Sequence, residues 1–264
     1  MPPLDLGLGL GTSGLDDPEE CTETVVTALE AGYRHVDTAQ MYDNEAAVGE
    51  GIAAADVDRD DVVVATKIHP ENLAPEDVRE TATESLDRLG LDRVDLLYVH
   101  WPIRTYDAAA TLPVFDELRE EGLIDHVGIS NFTPDLVHEA REILDSPIAA
   151  HQVECHPRFQ QPELRELARE LDHHLVGYSP LGGGDLIDDD TLREIAERNG
   201  RSPAVLALAW ALERGIVPIP KSTGAHVIEN LDALDAELSE EALEAVDAMA
   251  GGERLIDPDD AAWN

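Results

Sequence analysis

Residues 35–45 read His-Val-Asp-Thr-Ala-Gln-Met-Tyr-Asp-Asn-Glu, and they join an apolar run to the start of a helical pattern. Asp37 ends the apolar run, Tyr42 lies in the short polar loop that follows, and a helix is predicted to begin near Asn44. A tyrosine becomes a general acid near neutral pH if a nearby cation lowers its pKa from about 10. The stretch therefore predicts a site that also contains an ammonium group.

One lysine is the natural source of that ammonium group. The chain has sixteen arginines but only two lysines, and Lys67 directly follows a second apolar run over residues 62–66. His100 ends a third run. We predict that Asp37, Tyr42, Lys67 and His100 meet in one catalytic site, because perturbed titratable groups cluster at functional sites.

Short apolar runs alternate with amphipathic helical patterns along the sequence, which is typical of repeated βα units. Strands are predicted at residues 5–12, 34–37, 62–67, 94–100, 126–130, 149–153, 175–179 and 216–220. The interval before the last strand is long enough for an additional helix. Eight such units predict a parallel (β/α)8 barrel, the TIM barrel, as one domain over residues 1–264. An open doubly wound α/β sheet is the alternative.

Several helix starts are marked by a capping residue followed by proline. Asp17-Pro18, Thr133-Pro134 and Ser202-Pro203 have this form, and Pro75 and Pro162 begin helices without a strong cap. The helix after Pro75 is predicted to bury one face, formed by Val78, Ala82, Ser85, Leu86 and Leu89.

Polar residues fall at or just beyond the predicted C-terminal ends of seven strands. They are Asp37, Lys67, His100, Ser130 with Asn131, Gln152, Tyr178 with Ser179, and Lys221 with Ser222. The C-terminal ends of barrel strands carry the active site in this fold. We therefore expect these side chains to surround one cleft.

The chain is strongly acidic, with 57 acidic residues against 18 basic ones and a formal charge of −39. This charge argues against nucleic-acid binding, which relies on basic residues at the phosphates. Self-repulsion of this size is tolerable where concentrated salt screens it. Together with the scarcity of lysine, the charge predicts a protein from a halophile that accumulates salt. An unusually acidic mesophilic protein is the alternative.

The sequence is expected to carry neither a signal peptide nor a membrane span. The two cysteines, Cys21 and Cys155, fit a reducing compartment. No apolar run approaches the roughly 18 residues of a membrane span, and the N-terminus lacks the basic region of a signal peptide. We expect a cytoplasmic protein, monomeric, that binds a small-molecule carbonyl substrate and neither nucleic acid nor membrane.

Eight short motifs follow one another in a specific order. They are Gly9-Leu10-Gly11-Thr12, His35 to Ala39 with Tyr42, Ala65-Thr66-Lys67, His100-Trp101-Pro102, Gly128 to Phe132, Gln152 to Pro157, Tyr178 to Gly182, and Ile219 to Ser222. With this order and spacing the chain resembles the aldo-keto reductase family over nearly its whole length. It is most similar to short prokaryotic 2,5-diketo-gluconate reductases, because the loop after His100 and the tail after Gly251 are brief.

The resemblance implies a reductase that passes hydride from NADPH to an aldehyde or a ketone. Tyr42 would be the general acid that protonates the carbonyl oxygen, and Lys67 would lower its pKa. Asp37 would hold Lys67, and His100 would orient the carbonyl. General acid–base chemistry of this kind suits a reaction that builds negative charge on oxygen. No metal is expected.

The resemblance also implies a groove for NADP(H). Its residues would be Gly11, Thr12, Asp37, Ser130, Asn131, Gln152, Tyr178, Ser179, Leu181, Gly182, Lys221, Ser222, Thr223, His226, Glu229 and Asn230. Ser130, Asn131 and Gln152 would hold the nicotinamide carboxamide, and Tyr178 would stack on the nicotinamide ring. Ser179, Leu181 and residues 221–223 would follow the phosphates. Glu229 and Asn230 would hold the adenine.

The chain departs from the family pattern at the substrate and the coenzyme. Ser13 and His69 stand where aromatic residues are common, so a pocket formed with Trp101 and Trp263 should be more polar. His226 stands near the family's arginine for the 2′-phosphate. We therefore predict a reduced preference for NADPH, with measurable use of NADH.

Two other classes of function remain open. A lone lysine at a barrel strand end also suits a Schiff-base aldolase, in which Lys67 would form the imine. A module that binds the coenzyme without turnover is the other possibility. Among the remaining histidines, His156 is expected to be a hydrogen-bonded core residue, and His173 and His174 are expected to face solvent.

Overall fold

A computed structural model of the chain describes residue 4, residues 6–252 and residues 254–264. Eight parallel strands form one sheet in which each strand pairs with the next along the chain. They are β1 (Leu10–Gly11), β2 (His35–Asp37), β3 (Val63–Ile68), β4 (Val94–Val99), β5 (Ile124–Ser130), β6 (Ile148–Glu154), β7 (His174–Tyr178) and β8 (Ile216–Pro218).

The first and last strands close the sheet into a barrel. The N–H groups of Gly9 and Gly11 donate to the carbonyls of Pro218 and Pro220, each over 3.0 Å. A Cβ atom on Gly11 would lie 2.7 Å from the carbonyl oxygen of Ile219, so glycine is needed for this close approach. The predicted (β/α)8 barrel is confirmed, and the open sheet is excluded.

Helices alternate with the strands. They are α1 (Pro18–Ala31), α2 (Glu45–Ala54), α3 (Pro75–Leu89), α4 (Ala108–Glu120), α5 (Pro134–Ile143), α6 (Pro162–Leu171), α7 (Asp190–Arg198), α8 (Pro203–Glu213), α9 (Ala225–Glu229) and α10 (Glu240–Asp247). Asp17, Thr133 and Ser202 accept hydrogen bonds from the first turns of their helices, as predicted. Both α7 and α8 lie between β7 and β8, which accounts for the long interval in the sequence.

The strand bounds differ most from the prediction at the first strand. A strand was expected over residues 5–12, but β1 contains only Leu10 and Gly11, and Asp5 lies outside the described residues. Its neighbour β2 is three residues long, so a parallel ladder between them has little length. By contrast, β5 and β6 begin one or two residues before their predicted starts because long neighbours continue the pairing.

The core consists of two layers separated by the sheet. Successive side chains of a strand point to opposite faces, and in β4 Leu96 and Tyr98 belong to the barrel interior, whereas Leu97 and Val99 pack against the helices. The predicted face of α3 is buried in the outer layer, and Trp210 is fully buried there. Burial of an apolar side chain contributes about 1.5–3 kcal/mol, so both layers hold the strand ends in fixed positions.

None of the helices in the described ranges is long and apolar enough to cross a membrane. The assignment of residues 1–264 to one domain stays a prediction.

Candidate active site

Three strand ends and one turn bring the four predicted catalytic residues together. Asp37 is the last residue of β2, Lys67 is the penultimate residue of β3, and His100 directly follows β4. Tyr42 ends a 3-10 turn between β2 and α2. Because the strands are parallel and adjacent, their C-terminal ends lie at one end of the barrel.

The Lys67 ammonium group is the centre of this cluster. Its Nζ donates to Asp37 Oδ1 at 2.5 Å, to the carbonyl oxygen of Thr38 at 2.8 Å and to Tyr42 Oη at 3.4 Å. The Lys67 side chain is 0% exposed. An ammonium group has three donors, and each of them here has an acceptor, so Lys67 is held in one orientation beneath Tyr42.

The second oxygen of the Asp37 carboxylate is also fixed. Gln152 Nε2 donates to Asp37 Oδ2 over 2.7 Å, across the barrel from β6 to β2. The hydroxyl of Thr12 donates to the backbone carbonyl of Asp37 over 3.0 Å. A buried ion pair is stable only when its remaining lone pairs have partners, and Gln152 provides one.

The pKa of Tyr42 moves in the opposite direction from the expectation. Removal from water raises the pKa of Tyr42 above its ordinary value, and the attraction of Lys67 offsets only part of that rise. Asp37, which pairs with Lys67, adds to the rise. Tyr42 therefore keeps its proton at neutral pH, which is the state that a proton donor needs.

Lys67 itself remains charged. Burial alone would lower the pKa of Lys67, but the attraction of Asp37, followed by that of Tyr42, more than compensates and raises this pKa. The charge on Lys67 stabilises a negative oxygen at Tyr42 if the proton leaves.

His100 borders Tyr42 as a neutral imidazole. The two rings are perpendicular, with centroids 5.8 Å apart. Burial, followed by the charge of Lys67, holds the pKa of His100 well below its usual range. A neutral imidazole has one N–H donor and one acceptor nitrogen, so His100 can hydrogen-bond a carbonyl oxygen without carrying a charge.

A cleft of about 560 Å³ opens above these residues and extends to α9. The predicted residues in its walls are Gly11, Thr12, Ser13, Asp37, Tyr42, His100, Trp101, Asn131, Gln152, Tyr178, Ser179, Leu181, Lys221, Ser222, Thr223, His226, Glu229 and Asn230. Lys67 and Ser130 lie behind the walls as buried residues. Gly182, His69 and Trp263 are also outside the described lining.

A chain of hydrogen bonds orients the amide groups near the catalytic end. Asn131 has a left-handed backbone (φ 63°), and its Nδ2 donates to the His100 carbonyl and to Ser130 Oγ, both over 3.0 Å. The Tyr178 hydroxyl donates to Asn131 Oδ1 over 3.0 Å. Asn131 and Gln152 therefore face the cleft in fixed orientations beside the ring of Tyr178.

The far end of the cleft, next to α9, is lined by charged, hydroxyl and amide groups. Lys221 is exposed there, and Asn230 Nδ2 donates to Ser222 Oγ over 2.7 Å in a buried pair. His226 Nδ1 and Glu229 Oε2 are 2.7 Å apart on the exposed surface of α9. Gly183 and Gly184 line this region without side chains. One cation and several hydroxyl and amide groups thus face the cleft, a donor set that suits phosphates.

The two predicted substrate residues outside the cleft have other contacts. His69 Nδ1 accepts the backbone N–H of Glu71 over 3.1 Å at the start of a 3-10 turn. Trp263 packs on Trp101 with ring centroids 5.7 Å apart, and the Arg254 guanidinium lies 3.6 Å from the Trp263 ring. Trp263 thus supports a wall residue, and direct contact of His69 or Trp263 with a substrate stays a prediction.

Three apolar side chains at the rim of the cleft were not predicted from the sequence. Met41, Ile187 and Ile256 are 45%, 41% and 44% exposed, and all three line the cleft. Single exposed apolar residues are common on protein surfaces. The sequence therefore offers no signal that separates these three from ordinary loop residues.

A closed (β/α)8 barrel with a protonated tyrosine, a buried charged lysine and a neutral histidine beside a cleft at the strand ends is typical of a barrel enzyme. The model of the Aldo/keto reductase family matches residues 5–250, and the chain belongs to this family. This agrees with the resemblance seen in its motifs.

Named relatives and solved structures agree with this assignment. A glyoxal reductase of Bacillus subtilis (strain 168) is 39% identical over 251 residues, which cover 94% of this chain and 90% of the relative. A crystal structure assigned as a 2,5-diketo-D-gluconic acid reductase B is 36% identical, with a TM-score of 0.93 and coverage of 97% and 92%. A Bombyx mori aldo-keto reductase in complex with NADP is 31% identical, with a TM-score of 0.87 and coverage of 95% and 91%.

Proposed function

We propose that this protein reduces an aldehyde or a ketone to an alcohol with NAD(P)H, and that Tyr42 is the general acid. The observation that carries the proposal is the contact of Lys67 Nζ with both Tyr42 Oη and Asp37 Oδ1, at 3.4 Å and 2.5 Å. Membership of the aldo/keto reductase family supports carbonyl reduction.

In the proposed reaction the bound coenzyme supplies the hydride. Negative charge builds on the carbonyl oxygen as the carbon is reduced, and the Tyr42 hydroxyl transfers its proton to that oxygen. Lys67 then stabilises the tyrosinate that remains, and Asp37 keeps Lys67 in position. Neutral His100 orients the carbonyl through a hydrogen bond. Fixed donors at a developing charge are worth more in such a site than in water.

The chemistry of the cleft fits a nicotinamide dinucleotide. The oriented amides of Asn131 and Gln152 match a carboxamide, and the Tyr178 ring offers a face for stacking. Lys221 and Ser222 match phosphate groups at the other end. We propose NADP(H) as the coenzyme, with NAD(H) as a weaker one, since His226 stands near the position where the family resemblance places an arginine for the 2′-phosphate.

We propose small dicarbonyl compounds as the substrate class. The glyoxal reductase and the 2,5-diketo-D-gluconic acid reductase share this feature in the compounds for which they are named. A serine at position 13 and the apolar rim at Met41 and Ile256 leave room for a short polar molecule beside Tyr42. The cytoplasmic location, the monomeric state and the halophilic source stay predictions.

The Schiff-base aldolase is disfavoured by the environment of Lys67. Imine formation requires a neutral, accessible amine, whereas Lys67 is fully buried and is held charged by Asp37. Borohydride treatment with a keto compound is expected to leave Lys67 unmodified. A covalent adduct at this position would reinstate the aldolase.

The decisive experiment is Tyr42→Phe, assayed by NADPH and NADH oxidation with a carbonyl panel at molar potassium chloride. Loss of a general acid typically costs about 10² to 10⁴ in rate, and coenzyme binding, followed by fluorescence, should persist. Tyr106→Phe is the matched control, because the Tyr106 hydroxyl has no hydrogen-bond partner among the described residues. A Tyr42→Phe enzyme that keeps a third or more of kcat would contradict the proposal. An inactive wild type that binds NADPH tightly would favour the binding module.

A further inference from the structure

A second, smaller cavity lies at the opposite end of the barrel from the cleft. Its volume is about 150 Å³, and its lining consists of Arg165, Ala168, Arg169, Asp172, His173, Leu175, Arg214 and Gly215. Asp172 and His173 directly precede β7, and Arg214 and Gly215 directly precede β8. We call this cavity the arginine pocket. It is formed at the N-terminal ends of the strands, away from the catalytic residues.

The charge of the arginine pocket is opposite to that of the whole chain. Three guanidinium groups and one carboxylate line it, whereas the chain has a formal charge of −39. Arg214 is already held by Asp247, with Arg214 Nη2 and Asp247 Oδ2 2.5 Å apart, and Glu240 Oε1 lies 3.7 Å from the same nitrogen. Arg169 has only a long contact of 3.7 Å with Glu166. Among the described residues, Arg165 is therefore the one guanidinium of the three without an ion pair.

Arg165 is the least satisfied of these side chains. Its Nε atom is buried without a hydrogen-bond partner. The other partly buried arginines in the described ranges each have a hydrogen bond, an ion pair or an aromatic ring as a partner, as Arg158 has Asp189 and Arg254 has Phe159. Buried polar groups without protein partners are usually satisfied by water or an ion, so the Arg165 side chain indicates a missing acceptor.

His173 provides a second, independent sign. It was expected to face solvent, but both of its ring nitrogens are buried, and neither has a hydrogen-bond partner in the described structure. Burial, followed by the charge of Arg141, lowers the pKa of His173 to about 4, so the ring is neutral and has one N–H to donate. Two groups with unused donors thus line the same small cavity.

We propose that the arginine pocket binds a small inorganic oxyanion such as phosphate or sulfate. Guanidinium groups bind the oxygens of such ions through paired hydrogen bonds. A water molecule could accept a bond from Arg165 but would not neutralise the charge of its guanidinium group. The cavity is large enough for one such ion and too small for a dinucleotide. An ion bound there joins α6, β7 and the segment before β8, and stabilises the folded barrel by mass action.

Calorimetric titration with inorganic phosphate tests this proposal, at an ionic strength held constant with potassium chloride. The wild type is expected to bind one phosphate per chain and to gain thermal stability from it. Arg165→Gln should weaken binding at least tenfold. Arg169→Gln should also weaken it, and because Arg169 is exposed, this variant is not expected to disturb the fold.

Arg201→Gln is the matched control, because Arg201 is exposed and does not line the pocket, and its phosphate binding should equal that of the wild type. Saturating NADPH should leave phosphate binding unchanged, since the coenzyme cleft is at the other end. Competition with NADPH would assign the signal to the cleft and overturn the proposal. Equal binding by Arg165→Gln would overturn it as well. If glycerol 3-phosphate binds tenfold more tightly than phosphate, the ligand of the arginine pocket is a phosphate ester, and the proposal of an inorganic ion is overturned.

Discussion

The buried pair of Lys67 and Asp37 serves both the chemistry and the fold. Their side chains are 0% and 2% exposed, and each is hydrogen-bonded to further groups. Loss of one partner from a buried pair leaves an uncompensated charge, which costs more than loss of both. The contributions of this pair to catalysis and to stability can therefore be separated by comparing single and double substitutions.

Lys67→Met should remove activity and destabilise the protein by about 3–5 kcal/mol, because Asp37 becomes a buried charge without a counter-ion. Asp37→Asn combined with Lys67→Met should recover much of that stability without recovering activity. Urea unfolding at molar potassium chloride measures the free energies. Lys221→Met, at the exposed second lysine, is the control and should unfold like the wild type. A double variant no more stable than Lys67→Met would contradict the ion-pair argument.

The preference for NADPH over NADH should depend on His226. Its ring faces Glu229, an anion that disfavours a nearby 2′-phosphate. His226→Arg introduces a permanently charged guanidinium group that can bind a phosphate through two hydrogen bonds. It should raise the ratio of kcat/KM for NADPH over NADH at least tenfold. Kinetics with both coenzymes measure the ratio. His138→Arg, on the exposed face of α5, should leave it unchanged. A strong preference for NADH that His226→Arg does not alter would show that the phosphate pocket lies elsewhere.

At the scale of elements, the C-terminal tail is attached to the barrel by Glu154, the last residue of β6. This carboxylate is fully buried and accepts the backbone N–H groups of Leu255 at 2.8 Å and Ile256 at 3.0 Å. His156 Nε2 lies 3.1 Å from the same carboxylate, which agrees with its expected role as a core histidine. Since Ile256 lines the cleft, Glu154 connects a rigid strand to the substrate side of the site.

Glu154→Gln should therefore loosen the cleft wall without touching the catalytic residues. One carboxylate oxygen becomes an NH₂ group that cannot accept a backbone N–H, and bonds to a charged acceptor contribute about 1.5–3 kcal/mol. KM for carbonyl substrates should rise roughly tenfold, with a smaller change in kcat. Glu163→Gln, on exposed α6, is the control. An unchanged KM would show that the tail is held by its other contacts.

The strands could be predicted from the sequence, but the contacts between distant elements could not. The apolar runs of the sequence identified all eight strands, and the polar residues that follow these runs marked the strand ends. This is possible because a buried parallel strand is apolar until it reaches the rim of the barrel. The bond between Gln152 and Asp37 could not be predicted, since it depends on how β2 and β6 face each other across the closed barrel. The attachment of the tail to Glu154 joins residues about a hundred positions apart, and no local pattern reports such a contact.

Across the whole molecule, both lysines and three of the sixteen arginines belong to two sites at opposite ends of the barrel. Lys67 and Lys221 serve the cleft at the C-terminal ends of the strands, and the arginine pocket lies at the other end. Most of the other arginines are paired with acidic neighbours, as Arg79 is with Glu117 and Glu121. The remaining acidic surface is unbalanced, so the fold must tolerate its own repulsion.

The fold should consequently weaken as salt is withdrawn. The Debye length is about 3 Å at 1 M salt and about 30 Å at 0.01 M, so surface carboxylates repel one another across the molecule only at low salt. Tm should fall steadily from molar to millimolar potassium chloride. Sucrose raises Tm in general because it is excluded from protein surfaces, but it does not screen charge, so in sucrose the Tm should still fall as salt is withdrawn. Arg165→Gln should show the same decline, which separates general screening from an anion bound in the arginine pocket. A Tm that stays constant over this range would exclude adaptation to salt.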